Sequence, residues 1–284
     1  MLPTDVVHQI TGIVGDAYIK QDPSTLLDYG TDALGRGHPA ELVVLPGSTQ
    51  EIAGVARVCH TARVPLTPRG AGTGYTGGAV PTSGGVVLGL DRLNRIKQID
   101  KDNLLVVVEP FVVVGELQRA VERVGLFYPP DPASLNRSVI GGNVAECAGG
   151  PHAFKYGTTK RYVLGLEVVL ATGETIRTGG KSVKNVVGYD LTQLFVGSEG
   201  TLGVITNSVL RLIPLPRYTN TLRVMFRSVE TTSEAVTGIF EKGFNPNTIE
   251  LMDRVSLEIV SNNLDFDLSE EHNAMIIIEC DGTD

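Results

Sequence analysis

Apolar residues recur along the chain at two spacings, one helical and one extended, and their alternation lays out the elements. Val6, Val7, Ile10, Ile13 and Val14 fall at helical spacing before Gly15, with Thr4 placed as an N-cap. Residues 42–45, Leu-Val-Val-Leu, form a short buried strand ended by Pro46-Gly47. Ser48 followed by Glu51 is a capping box, and Ile52, Val55, Ala56 and Cys59 make one apolar face behind it, which assigns Cys59 to the core. Strands are predicted over 64–66 and 86–90, and over 104–108, where a continuous apolar run suggests burial on both faces. A helix over 115–124 carries Leu117, Val121 and Val124 on one side and ends at Gly125. Residues 163–170 are a strand that turns through Ala171-Thr172-Gly173-Glu174 into Thr175-Ile176-Arg177. Asp190 caps a short helix over 191–195, and a glycine-rich turn over 197–203 leads into Val204-Ile205. Pro214-Leu215-Pro216 marks a domain boundary. Beyond it strands at 222–226, 248–252 and 275–279 alternate with helices at 233–242 and 255–261, a βαβαβ series that reads as unfinished and should leave a sheet edge exposed.

One stretch interrupts this patterning. Residues 68–79 read P-R-G-A-G-T-G-Y-T-G-G-A, with glycine at five of twelve positions, and they follow a strand directly. Such a turn can bring successive backbone N–H groups onto one ligand and form an anion-binding concavity, suited to a phosphate or pyrophosphate. A plain flexible surface loop is the alternative. Gly72, Gly74 and Gly77 satisfy G-x-G-x-x-G, but the Rossmann fingerprint needs its third glycine to open a helix. Pro81, Gly84 and Gly85 follow instead and cannot carry one. Asp91 stands near where a ribose-binding acid belongs and keeps that alternative in view. The favoured reading is a pyrophosphate loop between two strands.

Composition adds exclusions. The 284 residues allow one large or two medium domains, and 42% hydrophobic with 20% charged residues is ordinary for a globular chain, whereas 33 glycines are an excess. A net charge of −8 with no concentrated basic segment argues against a nucleic-acid partner. Cys59, Cys147 and Cys280 include no C-x-x-C pair, which points to a reducing compartment, and the five histidines show no metal-ligand spacing. Met1 to Asp5 gives no signal-peptide pattern and no apolar run reaches membrane length, so a cytoplasmic location is expected, with peripheral attachment through partners leaving no trace.

Several stretches together carry a family resemblance: Pro68-Arg69-Gly70-Ala71-Gly72-Thr73-Gly74, Pro129-Pro130-Asp131-Pro132, Ile140-Gly141-Gly142-Asn143-Val144-Ala145, Ala148-Gly149-Gly150, Lys155-Tyr156-Gly157, Gly188-Tyr189-Asp190-Leu191 and residues 197–206. In this order they resemble the vanillyl-alcohol-oxidase (PCMH-type) FAD-binding family, in particular the FAD-binding subunits of glycolate oxidases and the D-lactate dehydrogenases. The resemblance implies an α+β chain: a PCMH-type FAD-binding domain over 1–215, made of two α/β subdomains at about 1–98 and 99–215, then the first part of a ferredoxin-like cap over 216–284. It implies non-covalent FAD. Pro68, Arg69, Gly70, Ala71, Gly72, Thr73, Gly74 and Tyr75 would wrap the pyrophosphate. Pro130, Asp131, Pro132, Ser138, Gly141, Gly142 and Asn143 would line the ribityl and flavin region, with Ala145, Cys147, Ala148, Gly149 and Gly150 beside it and Tyr156 and Gly157 near it. Glu199, Gly200, Gly203, Val204 and Ile205 would close over the adenosine. Turn formation is the plain alternative for the later glycines, and packing for Tyr156.

Cys147 stands where much of the family has asparagine, and a small buried filler is the expected explanation. The activity implied is oxidation of glycolate or D-lactate to the 2-oxo acid by hydride transfer to flavin, with partner subunits, one of them electron-transferring. The alternative is a non-catalytic flavin-binding subunit or fragment. The family's substrate clamp, catalytic histidine and metal ligands lie beyond the position of Asp284, so no catalytic residue or metal site is assigned within the chain, and negligible turnover by the chain alone is expected. His152, the only histidine near a flavin motif, reads as structural.

Overall fold

A computed structural model describes residues 2–263 and 266–282. It divides into two compact units. The first comprises residues 2–128, 132–148 and 158–214, and the second residues 129–131, 149–157 and 215–282.

In the first unit, α1 (Thr4–Val14) packs with α3 (Thr49–Ala62) over a four-stranded sheet. Its strands are β1 (Ile19–Lys20), β2 (Leu42–Val44), β3 (Leu66–Arg69) and β4 (Val86–Gly89), in the order β1-β2-β4-β3, and α2 (Pro23–Tyr29) lies between β1 and β2 in sequence. The pairs β2–β4 and β3–β4 run parallel, so the glycine stretch connects two parallel neighbours without a helix, as the patterning predicts. Val6, Ile10, Leu42, Val44, Ile52, Val55, Cys59, Val86 and Leu88 form the core. Their near-complete removal from water is the main favourable term holding this layer together.

A second, five-stranded antiparallel sheet uses β5 (Ile96–Asp100), β6 (Leu105–Val108), β8 (Val163–Val169), β9 (Thr175–Gly179) and β10 (Val204–Arg211), in the order β5-β6-β10-β8-β9. Helix α4 (Val114–Glu122), the short β7 (Leu126–Phe127), α5 (Ile140–Glu146), α7 (Leu191–Phe195) and β11 (Ile213–Pro214), which pairs with β7, complete this unit.

The second unit is built on α6 (Ala153–Tyr156), β12 (Tyr218–Phe226), α8 (Val229–Glu241), β13 (Thr248–Asp253), α9 (Arg254–Ile259) and β14 (Ala274–Gly282). Its antiparallel sheet has the order β12-β14-β13, so among the described residues β12 and β13 are edge strands.

Several local expectations are corrected. Thr4 is the first residue of α1 rather than its cap; Pro3 precedes it and no side chain caps the helix. Ser48 does accept from the Glu51 N–H at 3.1 Å, but the Glu51 carboxylate returns to the Gly47 N–H, one residue further upstream than a capping box specifies. Leu104 adopts φ 51 and stays outside β6. Helix α8 begins four residues before the predicted start because the Ser228 hydroxyl accepts from the Thr231 N–H. The stretch Ile140-Gly141-Gly142-Asn143 is the first turn of a helix, where the sequence suggests only close backbone passage.

Candidate functional site

The glycine loop is shaped by the side chain at its entrance. Arg69 closes β3 and is 9% exposed; its Nη2 donates to the Asp28 carbonyl at 3.1 Å and its guanidinium lies 5.7 Å from the centre of the Tyr29 ring. Its Nη1 is buried without a hydrogen-bond partner. Burial lowers the guanidinium below its ordinary pKa, while Tyr29, Asp91, Asp28 and Asp32 oppose the shift. Gly72 has φ +65, and a Cβ there would overlap the same guanidinium. Both facts require glycine at the point where the loop folds back over Arg69.

Further along, a Cβ on Gly74 would lie 2.9 Å from Glu146 Oε1, and one on Gly78 would lie 3.2 Å from Glu199 Oε2. The Thr76 hydroxyl stands 3.2 Å from each of Glu146 Oε2 and Glu199 Oε2. Burial, with the Glu199 charge added, holds the Glu146 carboxyl above its usual range. Tyr75 at the loop tip is 67% exposed.

Helix α5 is clipped to the 197–205 turn, because the Gly197 N–H donates to the Val144 carbonyl at 3.0 Å and the Glu199 N–H to the Ala145 carbonyl at 2.9 Å. A Cβ on Gly141 would come 2.6 Å from Pro110 Cβ, whereas one on Gly142 would meet only a Val139 methyl at 3.9 Å. Gly141 therefore serves packing, and Gly142 faces open space. A Cβ on Gly200 would approach Pro68 to 2.7 Å, so this turn also bears on the start of the glycine stretch. Gly203 leads into Val204 and Ile205, which pair with Val169 and Val168 in β8. The Ser138 Oγ and Asn143 Nδ2 are buried without hydrogen-bond partners. Cys147 terminates α5 at φ 52, with its sulfur 3.4 Å from the Thr158 hydroxyl. It is half-buried and in a left-handed conformation, so the filler explanation gives way to a capping one. Ala148 follows as an acceptor for Thr159, and the Pro132 carbonyl accepts from Leu135.

The first unit thus brings the 68–78 loop, α5 and the 197–205 turn together. Unpaired buried groups there are N–H donors at Arg69 and Asn143, and just ahead of α5 a hydroxyl at Ser138. A buried donor without an acceptor is costly, and an acceptor-rich ligand would relieve it. The phosphate and carbonyl oxygens of a flavin dinucleotide are of that kind, and the open space at Gly142 admits close approach. The residues fit such a group.

Pro130, Asp131, Gly149, Gly150, Tyr156 and Gly157 fall in the second unit, where Gly150 packs on Asp131 and Tyr156 on Asp281. A Cβ on Gly150 would overlap the Asp131 carbonyl, so glycine there accommodates Asp131. The Tyr156 hydroxyl donates to Asp281 Oδ2 at 2.7 Å, Lys155 pairs with Asp281, and Phe154 stacks on Phe240 with ring centres 5.0 Å apart. His152 is held by its surroundings on both sides, with Nδ1 3.0 Å from Asp131 Oδ2 and Nε2 3.4 Å from Glu279 Oε1. Burial pushes the Asp131 carboxyl up to about 6 although His152 pulls it down. Sequence reasoning missed Glu279 and Asp281; an acid-rich end to a β-branched strand was their only local signal.

Two family models match in succession. An FAD binding domain covers residues 40–179, and the C-terminal domain of FAD linked oxidases covers residues 215–284. The chain belongs to the FAD-linked oxidases. Their cofactor, FAD, is the flavin dinucleotide that the unpaired donors fit. The chain is 41% identical over 283 residues to the glycolate oxidase subunit GlcD of Bacillus subtilis (strain 168), covering 99% of itself and 60% of that protein. It is 40% identical over 220 residues to the D-lactate dehydrogenase of Anaerostipes hadrus, covering 78% of itself and 46% of that protein. The chain therefore spans 60% or less of the length of these two relatives. A solved structure of p-cresol methylhydroxylase with substrate bound superposes with a TM-score of 0.79 over 98% of this chain and 60% of that one, at 18% identity, which gives this chain the PCMH-type fold. No described helix of this chain is long and apolar enough to cross a membrane.

Proposed function

We propose that this chain supplies the FAD-binding part of an oxidase or dehydrogenase that converts a small 2-hydroxy acid, glycolate or D-lactate, to the 2-oxo acid. The observation that carries this reading is the meeting of the glycine loop, α5 and the 197–205 turn around unpaired buried donors, in a chain similar to a glycolate oxidase subunit and a D-lactate dehydrogenase. FAD supplies the hydride acceptor for such an oxidation.

The chain's own residues bind and orient. Backbone N–H groups of residues 69–75 hold the pyrophosphate, with Arg69 as the full positive charge at the loop entrance. Asn143 and Ser138 present hydrogen-bonding groups beside α5, and Gly142 lets the cofactor approach the helix backbone. Glu199, Gly200, Gly203, Val204 and Ile205 close the adenosine end. Pro132, Ala145, Cys147 and Ala148 complete the proposed surroundings within the first unit. The FAD is non-covalent, since residues 68–79 contain neither histidine nor cysteine. Partner chains, one of them carrying electrons away, are part of the proposal, because one relative is named as a subunit.

The test is reconstitution with FAD, acid precipitation, and chromatography of the supernatant. FAD released into solution is expected. FMN, NAD or no ligand would overturn the cofactor assignment, and colour retained in the pellet would overturn the non-covalent one. Anaerobic bleaching of the reconstituted protein by glycolate or D-lactate, alone and with partner chains, then reads the substrate class. Bleaching by neither acid under either condition would leave a flavin-binding role only.

A further inference from the structure

Asp131, His152 and Glu279 come from separate stretches of the chain, 21 and 127 residues apart in the two pairings, and no role given above uses them together. A neutral imidazole has one N–H and one lone pair, so it can donate to only one carboxylate and must turn its lone pair toward the other. His152 nevertheless stands between two. Both contacts are attractive at once only when the trio carries one proton more than the neutral ring, either as an imidazolium between two carboxylates or as a neutral imidazole beside one protonated carboxyl.

The two ends are unequal. Asp131 also accepts from the His152 backbone N–H at 3.1 Å, and Nδ1 lies 3.3 Å from the Pro129 carbonyl, so the ring's remaining proton stays on that side. Glu279 has other donors, Asn247 Nδ2 at 2.6 Å and the Thr221 hydroxyl at 3.2 Å, and can leave the ring without being stranded. Loss of the shared proton therefore opens the Nε2–Glu279 contact first. Among the described residues, other neighbours on this face include the Tyr156 ring, edge-on to the imidazole at 6.3 Å, and the Lys155–Asp281 pair one alternate position further along β14. With the Phe154–Phe240 stack they keep the segment attached, so the opening is local.

We propose that Asp131, His152 and Glu279 form a proton-dependent clasp, in which His152 is the positioning residue of Asp131 and closes residues 149–157 onto β14 while the extra proton is held. The inference concerns the second unit alone and stands whether or not the cofactor assignment does.

Hydrogen exchange of peptides spanning 149–157 and 274–282, corrected for the chemical exchange rate and followed from about pH 6 to about pH 8.5, tests it. In the unaltered chain, exchange of both peptides should rise about tenfold across that range, the effect of losing one charge-assisted hydrogen bond. Glu279→Gln should stay protected at the high end, because its amide N–H can donate to the lone pair of neutral His152. His152→Ala should exchange fast throughout. Protection of residues 229–241, which form α8 of the same unit, reports that each variant is folded; should a variant fail there, the pH series of the unaltered chain decides. Exchange independent of pH in the unaltered chain, or a Glu279→Gln series that follows it, overturns the proposal.

Discussion

Tyr29 donates its hydroxyl to Asp91 at 2.8 Å across 62 residues of sequence. Burial and the Asp91 carboxylate push the phenol well above its usual pKa, so it remains a donor at any physiological pH. The acidic residue whose spacing keeps a Rossmann reading open is thus bonded to a phenol beside Arg69. Asp91 Oδ2 is buried without a partner, so its stability here leans on Tyr29. Tyr29→Phe should destabilise the chain by about 1–3 kcal/mol, the cost of leaving a buried acceptor unmet. Urea unfolding measures it, and an unchanged midpoint refutes it.

Three glycines separate ligand approach from packing. Gly72→Val should remove flavin binding while leaving most of the fold intact, since its positive φ and the Arg69 guanidinium both oppose a side chain. Gly141→Val should lower the melting temperature through Pro110, whatever ligand is present. Gly142→Val should keep the fold yet lose flavin. Normal flavin content in the Gly72 and Gly142 variants would make those positions mere turn and helix residues.

Cys147 holds a left-handed conformation that asparagine tolerates better. Cys147→Asn should therefore stabilise the chain by about 1 kcal/mol, the usual penalty for an ordinary side chain in that region. Cys147→Ala should bring no such gain. Calorimetric scans of the two variants provide the check, and equal melting temperatures would exclude the capping explanation.

Glu167 lies under a ring of donors: Thr49, Thr206 and Asn207 on one oxygen, Arg177 on the other. Burial raises its pKa, but Arg177 and the other donors outweigh burial and hold it below the usual carboxylate value. A depressed carboxylate gives stability that is present above its unfolded value of about 4.3 and lost as pH falls through the folded one. Glu167→Gln should cost about 1–3 kcal/mol at neutral pH. The gap from the unaltered chain should narrow below about pH 4. A gap that is constant with pH would show that shape, not charge, holds this network.

The parts of the fold legible in the sequence were those with a local physical signature. Ser48 and Asp190 cap helices because their side chains reach backbone N–H groups three residues ahead, and the Pro81 and Gly84-Gly85 run denies a helix to the glycine loop. Helix α5 was hidden because two successive glycines argue against a helix, at about 1 kcal/mol each, and the reason for glycine at 141, its close approach to Pro110, is tertiary. The start of α8 was missed since Ser228 and Ser233 are both plausible caps by composition, and the backbone selects the first. In the candidate site, the glycines carried the signal. The pairing of His152 with Asp131 and Glu279 did not show, because side chains that meet only through tertiary folding leave no spacing to read.

The order β12-β14-β13 has a consequence for synthesis. Of these three strands the middle one is translated after both of its neighbours, and β12 and β13 share no pairing with each other. Until residues 274–282 have emerged, about 50 residues after β12 has been made, both outer strands carry bare backbone edges. The first unit's sheets are already complete by then, with β10 and β11 both earlier in the chain. Assembly on the ribosome is therefore sequential, and a stall within the 254–273 stretch would leave two sticky strands in a chain whose first unit is already finished.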